Sequence, residues 1–554
     1  MFKKNKIAIS VVTGILGVVG IISSAQAVHV NPEGTGQVLL FPYYNAQEGY
    51  ITNINLVNST SETKAVRIRI KEGADSYDVR DFNVYLSPED IWTGSIKANG
   101  GKGSISTTDR SCAYPAQMTA TCKEGKCEAS VDFDTAVFPV KDSDTLEGYV
   151  EVIEMGVVTN PKVVAGVNHL DGQPVNCGAV KDAWYRNEFQ QGSGSKAKGL
   201  TAPTGGLFGS SAILNVQEGT AVAVDPIALE NYTTEPYHTK PDDPLLFDRP
   251  SLASGSVTTS EVLVGGSSPQ LLKTEWNTLT VDPCEAEGYP ACGKNPYPVA
   301  HALQAHSLMN EYFVDPSNNY DGHTDWVVTL PMKRYGIFNR VAQEQLEKRE
   351  DINPDTQKPT GKYQCVELMP GGTEKFYTPE EIGNANCLRY GDARVSFGEN
   401  IFDREEGRIN DAMYSPIGAK PPRILEREVN ILVFTSTDPS YVEKSLLKSD
   451  HSLPASKSYY SGKTVDPDDF VNVGAFVSGW ARMQFAGDYD LSTWWPKSEG
   501  SRADTPWISA LGASISSPIY HGVPVTGFSA VEGNVSESPN TRFGDALPHK
   551  AQRN

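Results

Sequence analysis

Val66-Arg67-Ile68-Arg69-Ile70 alternates aliphatic and basic residues with a period of two. Phe82-Asn83-Val84-Tyr85-Leu86 also alternates with a period of two, with apolar residues at 82, 84 and 86, and turn-forming residues at 73–76 lie between the two stretches. Successive side chains of a strand point to opposite faces of a sheet, so the period predicts two strands joined by a turn. Val38–Phe41 and Ile54–Val57 predict two more strands on the N-terminal side.

Short strands separated by polar turns predict an immunoglobulin-like antiparallel β-sandwich at the N-terminus, with Trp92 in its core. The rest of the chain is also predicted to be mainly β, with long loops and few short helices. Helical periodicity predicts helices only at His301–Phe313 and Val341–Arg349. Further strands are predicted at Tyr149–Met155, Ser211–Val216, Thr220–Val224, Trp326–Leu330, Val429–Thr435 and Gly479–Phe485.

The length of 554 residues predicts a multi-domain protein. Irregular stretches rich in Pro, Gly, Ser and Asp separate the strand-rich regions and mark candidate boundaries. They divide the chain into a signal peptide at 1–27, an N-terminal sandwich region at 28–200, a second β-rich region at 205–350 and a C-terminal β-rich region with a polar tail at 360–554. No fixed-period repeat is present, which argues against solenoids and propellers.

The first 27 residues have the pattern of a cleavable secretory signal. Lys3, Lys4 and Lys6 precede an apolar stretch at Ile7–Ile22, and Ala25-Gln26-Ala27 is a small-x-small cleavage site. The apolar stretch is shorter than the roughly 20 residues that span a bilayer. We therefore expect cleavage after Ala27 and export to the cell surface or the medium, with no transmembrane segment in the mature chain.

The chain is strongly acidic, with 68 Asp and Glu against 48 Lys and Arg and a formal net charge of −20. This charge repels nucleic acid, which is therefore not an expected partner. Acidic surfaces can be drawn together by divalent cations, although the same charge also serves solubility alone.

Eight cysteines in an exported chain favour disulfides over metal sites. Short spacing favours a pair between Cys284 and Cys292 and another between Cys365 and Cys387. The other four allow three connectivities: Cys112, Cys122, Cys127 and Cys177.

Two oxygen-rich stretches are candidate calcium loops. Asp315, Ser317, Asn319 and Asp321 place oxygen side chains at alternate positions before Gly322, but no glutamate follows at the position that closes an EF-hand loop. The second stretch contains Asp466, Asp468 and Asp469. The alternative is that these acids form ordinary solvated turns. No cofactor other than calcium is indicated.

No catalytic motif of a known spacing is present: the sequence lacks Gly-x-Ser-x-Gly, His-Glu-x-x-His and a P-loop. Glu405-Glu406 and Asp242-Asp243 could hold a catalytic carboxylate of a glycoside hydrolase, which needs only two suitably separated carboxyl groups. Trp494, Trp495 and Trp507 lie in a region rich in Gly, Ser and Pro, where they could form a subunit or glycan contact, or pack in a core.

Several stretches resemble a family of exported proteobacterial surface proteins that includes the surface-layer proteins of marine gammaproteobacteria. The resemblance spans most of the mature chain, and no catalytic or ligand motif comes with it. The stretches are Asn31-Pro-Glu-Gly-Thr-Gly-Gln-Val-Leu-Leu-Phe-Pro-Tyr-Tyr44, Lys64-Ala-Val-Arg-Ile-Arg-Ile70, Asp81-Phe-Asn-Val-Tyr-Leu-Ser-Pro88, Glu147-Gly-Tyr-Val-Glu-Val-Ile-Glu-Met155, Gly205-Gly-Leu-Phe-Gly209 and Thr324-Asp-Trp-Val-Val-Thr-Leu-Pro331.

The resemblance implies a non-enzymatic subunit of a two-dimensional lattice on the outer membrane, without a lipid anchor. Its expected partners are copies of itself and, through divalent cations, lipopolysaccharide. The alternatives are a secreted adhesin or glycan-binding module and, third, a secreted polysaccharide hydrolase.

Overall fold

The computed structural model describes part of the chain. The described residues are 26–136, 140–189, 198–238, 250–265, 270–276, 296–315, 317, 321–333, 344–345, 347–352, 358–368, 374–377, 388–389, 395–410, 423–425, 427–436, 438, 445–449, 452–453, 471–473, 476–485, 523–534 and 542–553.

The N-terminal part is built of antiparallel strands. Its strands are β1 (His29–Val30), β2 (Val38–Asn45), β3 (Tyr50–Asn58), β4 (Lys64–Glu72), β5 (Asp78–Leu86), β6 (Ile91–Asn99), β7 (Lys102–Thr107), β8 (Cys112–Tyr114), β9 (Thr121–Lys123), β10 (Lys126–Asp132), β11 (Glu147–Val158), β12 (His169–Leu170), β13 (Gln173–Pro174), β14 (Leu200–Thr201), β15 (Leu207–Asn215), β16 (Thr220–Val224) and β17 (Ile227–Glu230). Its helices are α1 (Pro161–Val167) and α2 (Gly178–Tyr185), with 3₁₀ turns at Gln47–Gly49, Ala116–Met118 and Asp142–Leu146.

Two sheets of this part face each other. Sheet A has the strand order β1-β17-β2-β11-β4-β5-β8, and sheet B the order β16-β15-β3-β6-β7-β10-β9. Leu39, Phe41 and Val66 of sheet A pack in one cluster with Ile54 and Trp92 of sheet B. The predicted antiparallel sandwich and the core position of Trp92 are confirmed.

The C-terminal part is also mainly β. Its elements are β18 (Thr259–Val264), β19 (Gln270–Glu275), α3 (Tyr297–Ala302), β20 (Gln304–Ala305), β21 (Ser307–Phe313), β22 (His323–Thr329), β23 (Glu344–Gln345), β24 (Glu347–Ile352), β25 (Pro359–Leu368), β26 (Glu374–Tyr377), β27 (Leu388–Arg389), β28 (Val395–Asp403), β29 (Arg408–Asn410), β30 (Arg423–Leu425), β31 (Val429–Thr435), β32 (Ser452–Leu453), β33 (Val471–Asn472), β34 (Ser478–Phe485), β35 (Val523–Pro524), β36 (Thr526–Asn534), β37 (Arg542–Pro548) and β38 (Lys550–Gln552).

A second sandwich lies in this part. Sheet C has the order β32-β31-β22-β36-β37, and sheet D the order β29-β28-β34-β21-β38. Trp326 and Phe434 of sheet C share a core cluster with Tyr312, Phe397 and Met483 of sheet D. The other face of sheet C packs against sheet A, where Val327, Ile431 and Phe528 meet Leu40 and Tyr43. The four sheets are therefore stacked in the order B, A, C, D.

The topology differs from the predicted domain division. β15, β16 and β17 pair within sheets A and B, so the N-terminal sandwich continues to Glu230 instead of ending at 200. Sheet C pairs β22 with β31 and β36, and so combines strands of the predicted 205–350 and 360–554 regions. Composition marks where loops lie, but pairing between distant strands decides which segments share a core.

Both predicted helices are wrong. α3 ends at Ala302, and Ser307–Phe313 is strand β21, which pairs with β34 and β38. In the second stretch, Glu344–Gln345 and Glu347–Ile352 are strands that pair with β27 and β25. Distant strands supply the backbone hydrogen bonds in both places, which overrides the local helical pattern.

The alternation in β4 divides its side chains between two buried environments. Val66, Ile68 and Ile70 enter the core between sheets A and B. Arg67, Arg69 and Lys71 lie on the opposite face, and each is at most 2% exposed. The basic residues of the pattern are therefore not on the surface.

An ionic cluster neutralises these buried cations. Arg67 pairs with Asp81 at 2.7 Å, Arg69 with Asp78 at 2.7 Å, and Lys71 with Asp78 at 2.6 Å. A second pair, between Lys64 and Glu154, spans 2.8 Å. Buried charges need such partners, because desolvation is costly. The carbonyl oxygen of Pro250 also accepts a hydrogen bond from Arg69 at 3.2 Å.

Residues 445–449 connect the two sandwiches. On one side, Leu446 and Leu447 accept hydrogen bonds from Tyr50 (2.6 Å) and Asn45 (2.7 Å) of the N-terminal sandwich. On the other side, the Ser445 hydroxyl and the Leu447 amide donate to Asp325 Oδ2 of β22, at 2.7 and 2.9 Å. Burial raises the pKa of Asp325 to about 7. This segment fixes the position of sheet C against sheet A.

Candidate functional site

The hairpin formed by β18 and β19 is the candidate functional site. The two strands pair antiparallel from Thr259 opposite Glu275 to Val264 opposite Gln270, as a two-stranded sheet. Among the described residues, no strand pairs with the outer edge of β19. An isolated hairpin of this kind is marginally stable in water and offers unpaired backbone groups along its edge.

Exposed leucines accompany this open edge. Leu263 and Leu271 lie directly opposite each other and are 60% and 62% exposed, and Leu272 is 47% exposed. Glu261 is opposite Lys273 on the same face as the first two leucines. Residues opposite each other in an antiparallel pair share a face, so the outer face carries an apolar pair beside opposite charges.

The base of the hairpin is held by the rest of the protein. The Val28 amide donates to the Thr259 carbonyl oxygen at 2.8 Å, and the Glu261 amide donates to the Val28 carbonyl oxygen at 2.9 Å. At the end of β18, the Gly265 amide donates to the carbonyl oxygen of Arg553 at 3.0 Å. The hairpin is therefore anchored along β18, while β19 has no strand partner on its outer edge among the described residues.

A serine–histidine contact also lies at this base. Ser260 Oγ is 2.8 Å from His301 Nδ1 and accepts a 2.6 Å hydrogen bond from Trp276 Nε1. Burial, with a smaller effect of the nearby Arg553 charge, lowers the pKa of His301 to about 4, so the ring is neutral at pH 7. Ser260 is fully buried, so a substrate cannot reach its hydroxyl without local opening, and the contact serves to hold the hairpin on α3.

The first predicted calcium loop is a turn between β21 and β22. Asp315 Oδ1 accepts a hydrogen bond from the Ser317 amide at 2.8 Å, and Asp321 Oδ1 is 3.1 Å from His323 Nε2. These contacts give the two carboxylates roles within the turn. The remaining predicted ligands, Asn319, Asp466, Asp468 and Asp469, lie outside the described residues. Within the described part, no group of three or more His, Cys, Asp or Glu residues is placed to hold a metal ion.

Two disulfides are present among the described residues. Cys112 bonds with Cys177, and Cys122 bonds with Cys127 across the hairpin of β9 and β10. This is one of the three connectivities that the sequence left open. The predicted Cys284–Cys292 and Cys365–Cys387 bridges lie outside the described side chains and stay predictions.

Glu405 and Glu406 lie in an exposed turn that connects β28 and β29. The Glu405 amide donates to Asp403 Oδ1 at 3.0 Å, and Glu406 has a positive φ of 67°. The turn geometry accounts for this acidic stretch. Asp242, Asp243, Trp494, Trp495 and Trp507 lie outside the described residues.

The predicted strands do not include this hairpin, although the sequence has the pattern of one. Val262-Leu263-Val264 precedes Gly265-Gly266, and Leu271-Leu272 follows. Apolar strands on either side of a glycine-containing turn are typical of a hairpin. The exposure of the leucines cannot be seen in that pattern.

No protein-family model, curated protein or solved structure matches this chain. Among the described residues, no helix is long and apolar enough to cross a lipid bilayer.

Proposed function

We propose that this chain is a non-enzymatic surface-layer protein, exported by its signal peptide, that assembles with copies of itself into a lattice on the outer membrane. The single observation that carries the proposal is the open edge of β19 with its exposed leucines. The proposed occupant of this edge is a strand of a second copy, since backbone pairing needs no further sequence motif.

Three physical features favour a subunit contact at this hairpin. Leu263 and Leu271 form an exposed apolar pair, whose burial at an interface is favourable by about 25 cal/mol for each Å² removed from water. The base of the hairpin is held by backbone hydrogen bonds, so pairing would order few additional residues. Glu261 and Lys273 provide opposite charges at the rim, which favours a defined register over indiscriminate association.

Divalent cations are the second element of the proposal. The net charge of −20 makes copies repel each other at long range, and removal of the three signal lysines makes the mature chain more negative. Calcium bound between carboxylates of neighbouring copies, or between carboxylates and lipopolysaccharide phosphates, would offset this repulsion.

The test is negative-stain electron microscopy of the purified mature protein with calcium and with chelator, beside intact cell envelopes. We expect ordered sheets of the same spacing in the protein with calcium and in the envelopes. Leu271→Lys should prevent sheet formation, while Val216→Lys, which changes an apolar residue that is 81% exposed elsewhere, should leave it intact.

Isolated particles under all conditions, together with featureless envelopes, would contradict the proposal that the protein forms a lattice. If the Leu271→Lys protein forms sheets equally well, the lattice proposal stands, but the hairpin is not the contact between its subunits. Circular dichroism of both variants establishes that a loss of sheets does not arise from misfolding.

A further inference from the structure

A crevice of about 380 Å³ lies where the two sandwiches meet, and it is distinct from the open edge of β19. Its walls come from β1, β2, β16 and β17 on one side and from β21, β36, β37, β38 and Leu303, which follows α3, on the other. The walls are mostly apolar and include Val224, Ile227, Leu303, Leu308 and Phe528. Its volume is at the lower end of the range for small-molecule sites, about 300–1,000 Å³.

Arg553 brings a positive charge to this apolar space. Its Nε donates a 2.9 Å hydrogen bond to the Gln304 carbonyl oxygen, and within the described residues the guanidinium forms no ion pair. Burial lowers the pKa of Arg553, yet a guanidinium remains protonated at neutral pH. A half-buried cation without a counter-charge is a favourable site for an anion.

The histidine in the wall does not add to this charge. His549 Nε2 is 3.0 Å from the Val327 carbonyl oxygen, and Nδ1 is 2.9 Å from Asn310 Nδ2. Burial lowers the pKa of His549 to about 3, so the ring is neutral, with Nε2–H donating and Nδ1 accepting. Both ring nitrogens are thereby used inside the protein.

The remaining charges in the wall leave the crevice positive. Lys550 and Asp225 are both exposed and lie on the two sides of the crevice. In the described part of the chain, no salt bridge joins Asp225 to Lys550 or to Arg553. Among the described residues, the wall therefore carries two cations and one anion, although the whole protein has a net charge of −20.

We propose that this crevice binds a medium-chain fatty acid, with the carboxylate on Arg553 and the aliphatic chain among the apolar side chains. Apolar walls favour binding of the aliphatic chain of the fatty acid, because they remove its surface from water. This contributes about 0.8 kcal/mol of favourable free energy for each buried methylene. The planar guanidinium can form two parallel hydrogen bonds to a carboxylate, which distinguishes an acid from an alcohol of the same length. The proposal does not depend on lattice formation.

The test is isothermal titration calorimetry of the full mature chain with decanoate, decanol and decyltrimethylammonium. We expect decanoate to bind at least tenfold more tightly than decanol, and the cationic compound to bind more weakly than either. Arg553→Gln should abolish the preference for decanoate over decanol, and Arg553→Lys should retain part of it. Arg404→Gln, which removes an exposed arginine elsewhere, is the matched control and should bind as the unchanged protein does.

A second variant tests the walls independently of the charge. Ala551→Leu narrows the crevice and should weaken decanoate and decanol alike by tenfold or more. Equal affinity for decanoate and decanol in the unchanged protein, or no heat of binding for either, would overturn the proposal. So would an Arg553→Gln protein that is folded by circular dichroism and still prefers decanoate.

Discussion

The phenolic hydroxyl of Tyr50 donates a 2.6 Å hydrogen bond to the carbonyl oxygen of Leu446, 396 positions further along the chain. Both groups are buried, and the bond joins β3 to the segment at 445–449. The same segment bonds to Asp325 of sheet C, so this contact contributes to the docking of one sandwich on the other.

Tyr50→Phe removes this bond and keeps the ring. We expect a loss of about 1–3 kcal/mol in the free energy of unfolding, because the Leu446 carbonyl oxygen remains buried without that donor. Urea unfolding followed by fluorescence measures the change. Tyr185→Phe is the control, since Tyr185 is 60% exposed, and a control that loses as much stability as Tyr50→Phe would contradict the interpretation.

Arg69→Met tests the buried ionic cluster. Arg69 is 2.7 Å from Asp78 and 3.7 Å from Glu151, and its side chain has no exposure. Removing this cation leaves buried carboxylates with less positive charge to offset their own. We therefore expect the free energy of unfolding to fall by about 3–5 kcal/mol. Lys162→Met removes a surface salt bridge of 3.7 Å to Glu188 and should lower the free energy of unfolding by less than about 1 kcal/mol. Equal losses in chemical denaturation would show that burial of the cluster has no special energetic role.

Asp325 gives the stability a specific pH dependence. Burial raises its folded-state pKa from 3.8 to about 7, so the folded protein holds a proton that the unfolded chain releases. Its contribution to stability is therefore fully present below about pH 4 and is lost as pH rises through about 7.

Asp325→Asn removes this titration and keeps an oxygen that can accept from Ser445 and Leu447. We expect the stability of the variant relative to the unchanged protein to rise between pH 4 and pH 8, by on the order of 3 kcal/mol. Thermal unfolding across this pH range measures the difference, with Asp182→Asn at an exposed position as control. A difference that stays constant with pH would contradict the assigned protonation.

The two disulfides should differ in their effect on stability. Cys112–Cys177 closes a separation of 65 residues, and Cys122–Cys127 a separation of five. A longer loop loses more unfolded-state entropy on cross-linking, about 4 kcal/mol against about 2 kcal/mol for these lengths. Paired Cys→Ser variants of each bridge, compared by urea unfolding, test this order. The reverse order, or peptide mapping that finds other pairs, would refute it.

Strands were predictable where both the local pattern and the tertiary pairing favour them. Thr220–Val224 and Val429–Thr435 were predicted with the bounds that the structure has. Ser307–Phe313 lies in a stretch predicted as a helix but forms a strand, because β34 and β38, far along the chain, supply its backbone hydrogen bonds. Similarly, nothing local to Leu263 and Leu271 indicates that they are exposed, since exposure depends on which segments cover them.

The sequence by itself determined that the chain is mainly β, that short antiparallel strands form a sandwich at its N-terminus, and that Trp92 lies in its core. These follow from side-chain periodicity and turn residues, which act within a few positions. Only the tertiary structure decided that Arg67 and Arg69 are buried against Asp81 and Asp78. A period of two assigns side chains to the two faces of a strand, but it does not show which other segments cover those faces. The stacking of four sheets and the crevice at Arg553 likewise arise from contacts between segments hundreds of residues apart, whose partners no local pattern specifies.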